Sequence, residues 1–309
     1  MINRLSIKNN IPFRAIHLNQ YERIGNETVL NHKTSFFRYS DKENTDAFVV
    51  SLLRRKNNNK PLSIVSAGCS FGEEVYSYAL ACEKYGIKAN ISGFDISSTV
   101  INEAKQGKYY LNEKELDYLV KHQKGKKRTP FQKAMSDTFA RNFEQNGRHK
   151  NCYQLKNDKL TNCEFRLGDV KKIQTLYGKN SQDLILCRYV LYHIPNIEEL
   201  YNVFGQFEKI LKPGGLLCLN DIEAKYYKEA LLTLGFIQPH KNYPWIFEKP
   251  KTRKDKLNDF INSIVEAKKN LRYCSHCFNI SDTDPCQICG SPKRDNSLIC
   301  VVEDVRDVI

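Results

Sequence analysis

No stretch of this chain approaches the run of about 18 apolar residues that a membrane span requires. The N-terminus, MINRLSIKNNIPFR, is too polar for a secretory signal. Both absences lead us to expect a cytoplasmic protein. A disulfide framework is not expected either: the eleven cysteines are odd in number, and a chain of 309 residues is no small secreted domain. No internal repeat is present. The G-x-G-x-x-G order of a dinucleotide-binding loop is also missing. What is present, with 41% hydrophobic residues, suffices for one large domain or two modest ones.

Acidic excess is absent as well; the net charge is +13. The surplus is clustered. KHQKGKKRTPFQK (121–133) holds six basic residues and no acid, and KPKTRKDK (249–256) holds five against one aspartate. Such runs are solvated faces, or they meet acidic partners: nucleic acid or a glutamate-rich protein.

From residue 62 short apolar runs alternate with amphipathic stretches. LSIVSA (62–67), NISGFD (90–95), CEFRLGD (163–169), DLILCRYVL (183–191) and LLCLND (216–221) read as strands. Glu73 to Lys84, Ser97 to Gln106, Ile197 to Leu211 and Ala224 to Leu234 read as helices, with Ser97 an N-cap. LKPGG (211–215) is a sharp turn, and FIQP and WIFEK are closing strands. This alternation predicts an α/β fold with a doubly wound parallel sheet. Residues 112–160 interrupt the rhythm. They form a basic insertion, too long for a plain loop and therefore expected to carry structure or a binding role.

The first strand runs into Gly68-Cys69-Ser70-Phe71-Gly72, which has the G-x-S-x-G spacing of a nucleophile elbow. A hydrolase of that kind needs an oxyanion loop upstream and several strands before the elbow; only one strand precedes this turn, and no His-Gly-Gly segment does. A cofactor loop explains more. Small residues at Gly68 and Ser70 let a ligand approach the backbone. Glu73 and Glu74 open the following helix, where acids repel a phosphate and suit a cation or ribose hydroxyls. Asp95 ends the second strand, 23 residues past Gly72, where an acid typically receives ribose hydroxyls. An adenosine-bearing cation without phosphate, S-adenosylmethionine, satisfies all three; NAD is the alternative, and its pyrophosphate would face the glutamate pair.

TSFFR (34–38), SAGCSFGEEVYSYAL (66–80), FDISSTVINEAKQGKY (94–109), DLILCRYVLYHI (183–194) and ILKPGGLLCL (210–219) occur in that order. Together they resemble the CheR-type chemotaxis receptor methyltransferases over roughly residues 25–220. The resemblance implies a Rossmann-like methyltransferase sheet that uses S-adenosylmethionine to esterify glutamate side chains of a receptor-like, acidic protein. It implicates Thr34 and Arg38 in the cofactor and reaction site, Glu74 and Asp95 at the amino and ribose ends, and Asp169 and Val170 beside the adenine. Arg188 falls beside the methyl-transfer site, at the end of the fourth strand. His193 stands where the family carries an acceptor-side tyrosine. Tyr189 replaces an asparagine that usually follows the Cys-Arg pair, and His32 replaces an asparagine two residues before the threonine. The implied organisation is an N-terminal segment (1–45), a methyltransferase domain (46–249) with its insertion, a linker helix (250–270) and a C-terminal module (271–309).

Ester formation on a carboxylate is an in-line displacement by an anion already ionised at neutral pH, so no general base is needed. Arg38 is the candidate for steering the acceptor carboxylate, since a guanidinium can hold one oxygen and leave the other free.

Cys274, Cys277, Cys286 and Cys289 form C-x2-C-x8-C-x2-C, the pattern of a structural Zn2+ tetrahedron in a small zinc knuckle. The whole segment 271–309 resembles part of the RecR-type recombination mediator: the knuckle and the first strand of the Toprim domain that follows it. The family's DNA-binding hairpins are absent. Contact with nucleic acid or dimerisation is what such a module implies. Two other readings stay open: a nucleic-acid or small-molecule methyltransferase of the same fold, and a non-enzymatic, zinc-bearing protein associated with DNA repair.

Overall fold

A computed structural model describes residues 21–24, 27–30, 35–38, 45–56, 60–121, 128–147, 150–157, 159–252, 264–265, 268–269, 271–278 and 280–292. A short antiparallel hairpin, β1 (Tyr21–Ile24) and β2 (Glu27–Leu30), comes first, and α1 (Thr45–Lys56) follows. The alternating core is β3 (Leu62–Ala67), α2 (Glu73–Lys84), β4 (Ala89–Asp95) and α3 (Ser98–Gln106). The insertion supplies β5 (Lys108–Tyr110), α4 (Glu113–Leu119), α5 (Pro130–Asn142), β6 (Phe143–Gln145) and β7 (Cys152–Leu155). The alternation resumes with β8 (Cys163–Leu167), β9 (Gln182–Leu186), α6 (Ile197–Ile210), β10 (Leu211–Cys218), α7 (Asp221–Thr233) and β11 (Ile246–Glu248). A separate hairpin, β12 (Arg272–Tyr273) and β13 (Ile280–Ser281), lies in the cysteine-rich segment.

The six-stranded sheet runs β11-β10-β9-β3-β4-β8; all neighbours are parallel except the antiparallel edge strand β11. The chain winds outward from β3 to β8, then returns to the other side of β3 at β9. That reversal makes the sheet doubly wound and opens a crevice at the carboxyl ends of β3 and β9.

Two cores follow from the period-2 alternation of side chains along a strand. Ile64, Leu184, Leu186, Leu216 and Cys218 face α1, α2 and the insertion. Val65, Ile185, Cys187, Leu217 and Leu219 face α6 and α7. On α6 the buried positions Leu200, Val203, Phe204, Phe207 and Ile210 recur at helical spacing. Each such side chain contributes about 1.5–3 kcal/mol by leaving water.

The insertion is folded. Capping boxes start both of its helices, Asn112 with Glu115 and Thr129 with Gln132, and Pro130 occupies the first turn of α5. Its three strands form a sheet ordered β5-β7-β6. The expected boundaries, 112–160, therefore move earlier: the sheet already begins at Lys108 and closes at Leu155. Much of the basic run 121–133 lies outside the described residues.

Three other expectations need correction. The fourth strand stops at Leu186, short of residue 191, because Tyr189 turns into the left-handed region at φ 64. LKPGG does not leave the sheet; Leu211 pairs with Gln182 and the register shifts before Leu216 resumes pairing with Leu184. FIQP contributes one bridge, Ile237 to Glu248. Of the expected linker helix 250–270, residues 250–252 are not helical, 264–265 and 268–269 are, and most of the remainder lies outside the described residues. Among the described residues no helix is long and apolar enough to cross a membrane.

Candidate functional site

The turn between β3 and α2 is built by three residues with positive φ: Gly68 at 69°, Ser70 at 49° and Gly72 at 89°. The backbone N–H groups of Gly68 and Cys69 both donate to Phe94 O at 2.9 Å, which ties the turn to the end of β4. Glycine is required at 68 on two counts, since a Cβ there would lie 2.5 Å from Val190 Cγ2. At 72 a Cβ would meet the Phe165 ring at 2.7 Å. Asp95 closes the corner: its Oδ2 accepts from Ser70 N at 3.0 Å and its Oδ1 from Ser97 N at 3.1 Å. Ser97 caps α3 as its sequence position suggests, with Oγ accepting from Val100 N.

Ser70 is no activated nucleophile. It is buried, and its Oγ has no hydrogen-bond partner, whereas an elbow serine is paired to a base. The acids around it are held in a buried network. Glu74 Oε2 accepts from Ser66 Oγ at 2.6 Å, and its Oε1 pairs with Arg188 Nε at 2.7 Å. Arg188 also pairs with Asp46 Oδ1 at 3.0 Å, and Tyr78 Oη donates to the same oxygen at 2.8 Å. Burial alone would push the Arg188 guanidinium down; Asp46 and Glu74 instead hold it well above its ordinary value. Burial likewise pushes the Cys69 thiol well up, and Asp95, Glu74 and Glu73 push it further. The turn therefore sits in negative potential, with Asp95, Glu74 and Glu73 acting on it.

Beyond Arg188 the chain leaves the sheet as Tyr189–Val190 and a short 3-10 turn, Leu191–His193. Glu223, buried in the first turn of α7, reaches under this loop. Its Oε2 accepts from Tyr189 N at 2.9 Å and its Oε1 from Leu191 N at 2.7 Å, while Asn220 Nδ2 donates to Oε2 at 2.5 Å. Burial pushes the carboxyl up to about 7 although backbone N–H groups from Tyr189 to Tyr192 pull against it. His193 is exposed, its ring 4.3 Å from that of Tyr192.

At the carboxyl ends of β4 and β8, Ile96 is 72% and Leu167 59% exposed, an apolar lip beside Asp95. Asp169 caps the turn Val170–Thr175 by accepting from Lys171 N at 2.9 Å, and Val170 packs against the second core. Phe36 and Phe37 of the TSFFR segment sit in the first core; Phe36 N donates to Glu115 Oε1 at 3.3 Å and Phe37 N to Ser77 Oγ at 2.9 Å. Thr34 and the side chain of Arg38 lie outside the described residues. A cavity of about 370 Å³ opens between this segment, the glycine turn and the insertion, lined by Phe71, Glu73, Glu103, Tyr109 and Glu115.

The SAM-binding domain described for CheR methyltransferases matches residues 32–230. The chain belongs to the CheR methyltransferase family. Its larger domain is thus an S-adenosylmethionine-binding methyltransferase domain, with the Rossmann-like α/β fold that the strand alternation predicts. That ligand fits the residues present: the Ser70 hydroxyl is orphaned, Ile96 offers an apolar face and the acids suit a sulfonium. Similar solved structures include the magnesium protoporphyrin IX methyltransferase ChlM of Synechocystis PCC 6803, 20% identical, covering 65% of this chain and 76% of that one, TM-score 0.34. The CMeT domain of the citrinin polyketide synthase is 15% identical, covering 66% and 50%, TM-score 0.39. The [4+2]-cyclase SpnF is 14% identical, covering 61% and 57%, TM-score 0.35.

Residues 271–291 match the four-cysteine zinc finger domain of RecR. Recombination protein RecR of Clostridium perfringens is 46% identical over 56 residues, 18% of this chain and 28% of that protein. The chain thus spans little more than a quarter of the curated relatives it matches. The four Sγ atoms of Cys274, Cys277, Cys286 and Cys289 lie within 4.8 Å of one another. Cys277 and Cys286 Sγ are 3.7 Å apart, close to the edge of about 3.8 Å that a tetrahedron with Zn–S bonds near 2.3 Å requires. The N–H groups of Cys286 and His276 donate to Cys274 Sγ at 3.3 and 3.4 Å, and such donation, led by Cys286, brings that thiol down to about 6. His276 contributes a backbone donor, not a ligand. The cluster is the Zn2+ site of a RecR-type finger.

Of the residues singled out in the sequence, the structure brings Gly68, Ser70, Glu74, Asp95 and Arg188 to one corner, with Asp169 and Val170 following the adjacent β8 and His193 on the loop after Arg188. Asp46, Ile96, Glu115 and Glu223 carry weight that the sequence reading missed. Glu223 could have been found: it stands three residues after the N-cap Asn220, whose Nδ2 donates to its carboxylate, and the same carboxylate reaches on to the 189–191 backbone.

Proposed function

We propose that this protein transfers a methyl group from S-adenosylmethionine to a carboxylate on an acidic, chemotaxis-receptor-like protein, a glutamate side chain being the acceptor. The supporting observation is charge: Asp95, Glu74 and Glu73 act on the glycine turn, and Arg188, which pairs with Glu74, is shared with Asp46. Such a corner attracts sulfonium and ammonium groups and repels a pyrophosphate. Bound there, S-adenosylmethionine would supply an electrophilic methyl on a positively charged sulfur.

The chain's own residues would then bind and orient. Asp95 has four lone-pair sites and spends two on backbone N–H groups, leaving room for ribose hydroxyls. Ile96, Asp169 and Val170 would frame the adenine. Gly68 and Ser70 would face the ligand with backbone and hydroxyl. Glu74, held rigid by Ser66 and Arg188, would meet the amino end. On the acceptor side Arg38 would steer one carboxylate oxygen, with Thr34 near the cofactor and His193 at the rim. A glutamate with a pKa of about 4.3 arrives ionised, so proximity and exclusion of water are the whole task. The basic insertion suits an acidic acceptor. The zinc finger, in this reading, adds a contact to nucleic acid or to a second copy.

The test is transfer of methyl-labelled donor to a panel of acidic proteins. Label on protein that is lost in mild base supports a glutamate ester. Label that survives base, or that appears on RNA or DNA, overturns the acceptor assignment. Binding without any transfer would leave only the cofactor site.

A further inference from the structure

The loop that follows β9 is held from both sides. Arg188 anchors it to α1 and α2 through Asp46 and Glu74. Tyr189 is left-handed at φ 64 and Val190 right-handed at φ −117, ψ −40; consecutive residues of opposite hand turn their N–H groups into a concave row that binds an anion. The anion here belongs to the chain itself. Glu223 places one oxygen on Tyr189 N and the other on Leu191 N, within hydrogen-bonding reach of Val190 and Tyr192 as well. The same loop presents Val190 to the glycine turn, close enough that position 68 has no room for a Cβ.

We propose that Glu223 is a positioning residue of the methyl-transfer site: its carboxylate fixes the 189–193 loop, and through Val190 and Arg188 sets that loop against the cofactor turn. A bystander acid would need one oxygen at most. This one uses both, and Asn220 orients it from the start of the same helix. The inference rests on the cofactor reading above only for its functional meaning; the loop's dependence on Glu223 stands apart from it.

The experiment is backbone hydrogen exchange on the full chain at pH 8, with and without S-adenosylhomocysteine, for wild type, Glu223→Gln and Asn220→Ser. Glutamine keeps the size but offers one acceptor oxygen where two are used, so amides 189–192 should exchange about tenfold faster, the effect of one net hydrogen bond. Amides of β3 and β4 should not change, and protection of the loop by the ligand should be lost. Asn220→Ser preserves the helix cap and should give a smaller change of the same kind. Unchanged exchange at 189–192 in Glu223→Gln overturns the proposal, as does acceleration spread evenly over the sheet, which is what a merely structural acid would give. If Glu223→Gln does not fold, Asn220→Ser decides between the same outcomes. Failure of the wild type to bind S-adenosylhomocysteine would instead overturn the cofactor reading, and calorimetry on the same sample reports it separately.

Discussion

Asp95→Ala removes a carboxylate that serves the fold and the proposed ribose at once, and the two losses have different sizes. In the free protein Ser70 N loses its acceptor at a buried position, which costs about 1–3 kcal/mol, whereas Ser97 N is partly exposed and can turn to water. A net loss of about 2 kcal/mol should lower Tm by about 4–8 °C for a domain of this size. For the ligand, two ribose hydroxyls each give up a bond to a charged acceptor, about 1.5 kcal/mol apiece. The sum of about 3 kcal/mol weakens binding by roughly 100-fold. Isothermal calorimetry with S-adenosylhomocysteine measures the second effect, and a thermal melt of the same sample measures the first. Asp95→Asn separates them further, since the amide keeps one acceptor oxygen for the turn. If Asp95→Ala stays folded and binds within about threefold of wild type, well short of the loss worked out above, Asp95 does not hold the ribose and the corner has been misassigned.

Metal analysis should give about one zinc per chain, and Cys286→Ser should lose it while the melting transition of the methyltransferase domain is unchanged; a chain purified without zinc would contradict the tetrahedral cluster. Iodoacetamide at pH 8 should discriminate among the cysteines, because only thiolate reacts. Burial pushes Cys82 and Cys163 up to about 12, so about one thiol in 10⁴ is ionised there, and it pushes Cys69 and Cys187 well up too, whereas Cys274 is brought down to about 6. After chelation, mass spectrometry should find the four knuckle cysteines labelled first; early labelling of Cys69 would refute the burial of the turn. Tyr189→Asn should raise stability by about 0.5–1 kcal/mol, because asparagine tolerates the left-handed backbone better than tyrosine. A lower Tm would mean that the tyrosine ring's contacts outweigh its backbone strain.

Much of the sheet is legible in the sequence because its strands are short, apolar and bounded by glycine or acid. LSIVSA and NISGFD, with the helices that follow, are found within a residue of their predicted limits. The sequence was less informative where side chains act across the chain. DLILCRYVL reads as one continuous strand, since nothing local reveals that Glu223, 34 residues after Tyr189, captures the backbone and bends it away. Glu74 reads as an acid turned to the cofactor at a helix start, and nothing local reveals that its partner Arg188 lies 114 residues on. Asp46 carries no motif at all, and its role emerges only when α1 packs beside α2. The family's asparagine at position 189 makes physical sense only once the φ of that residue is known.

The close approach of Val190 to Gly68 links two segments that lie far apart along the chain. A side chain gained at 68 must be offset by one lost at 190, and even then the positive φ of the glycine remains. In any set of descendants of this protein, the two positions should therefore drift together or not at all. A change to the backbone or side chains of the second loop will therefore be felt by the first.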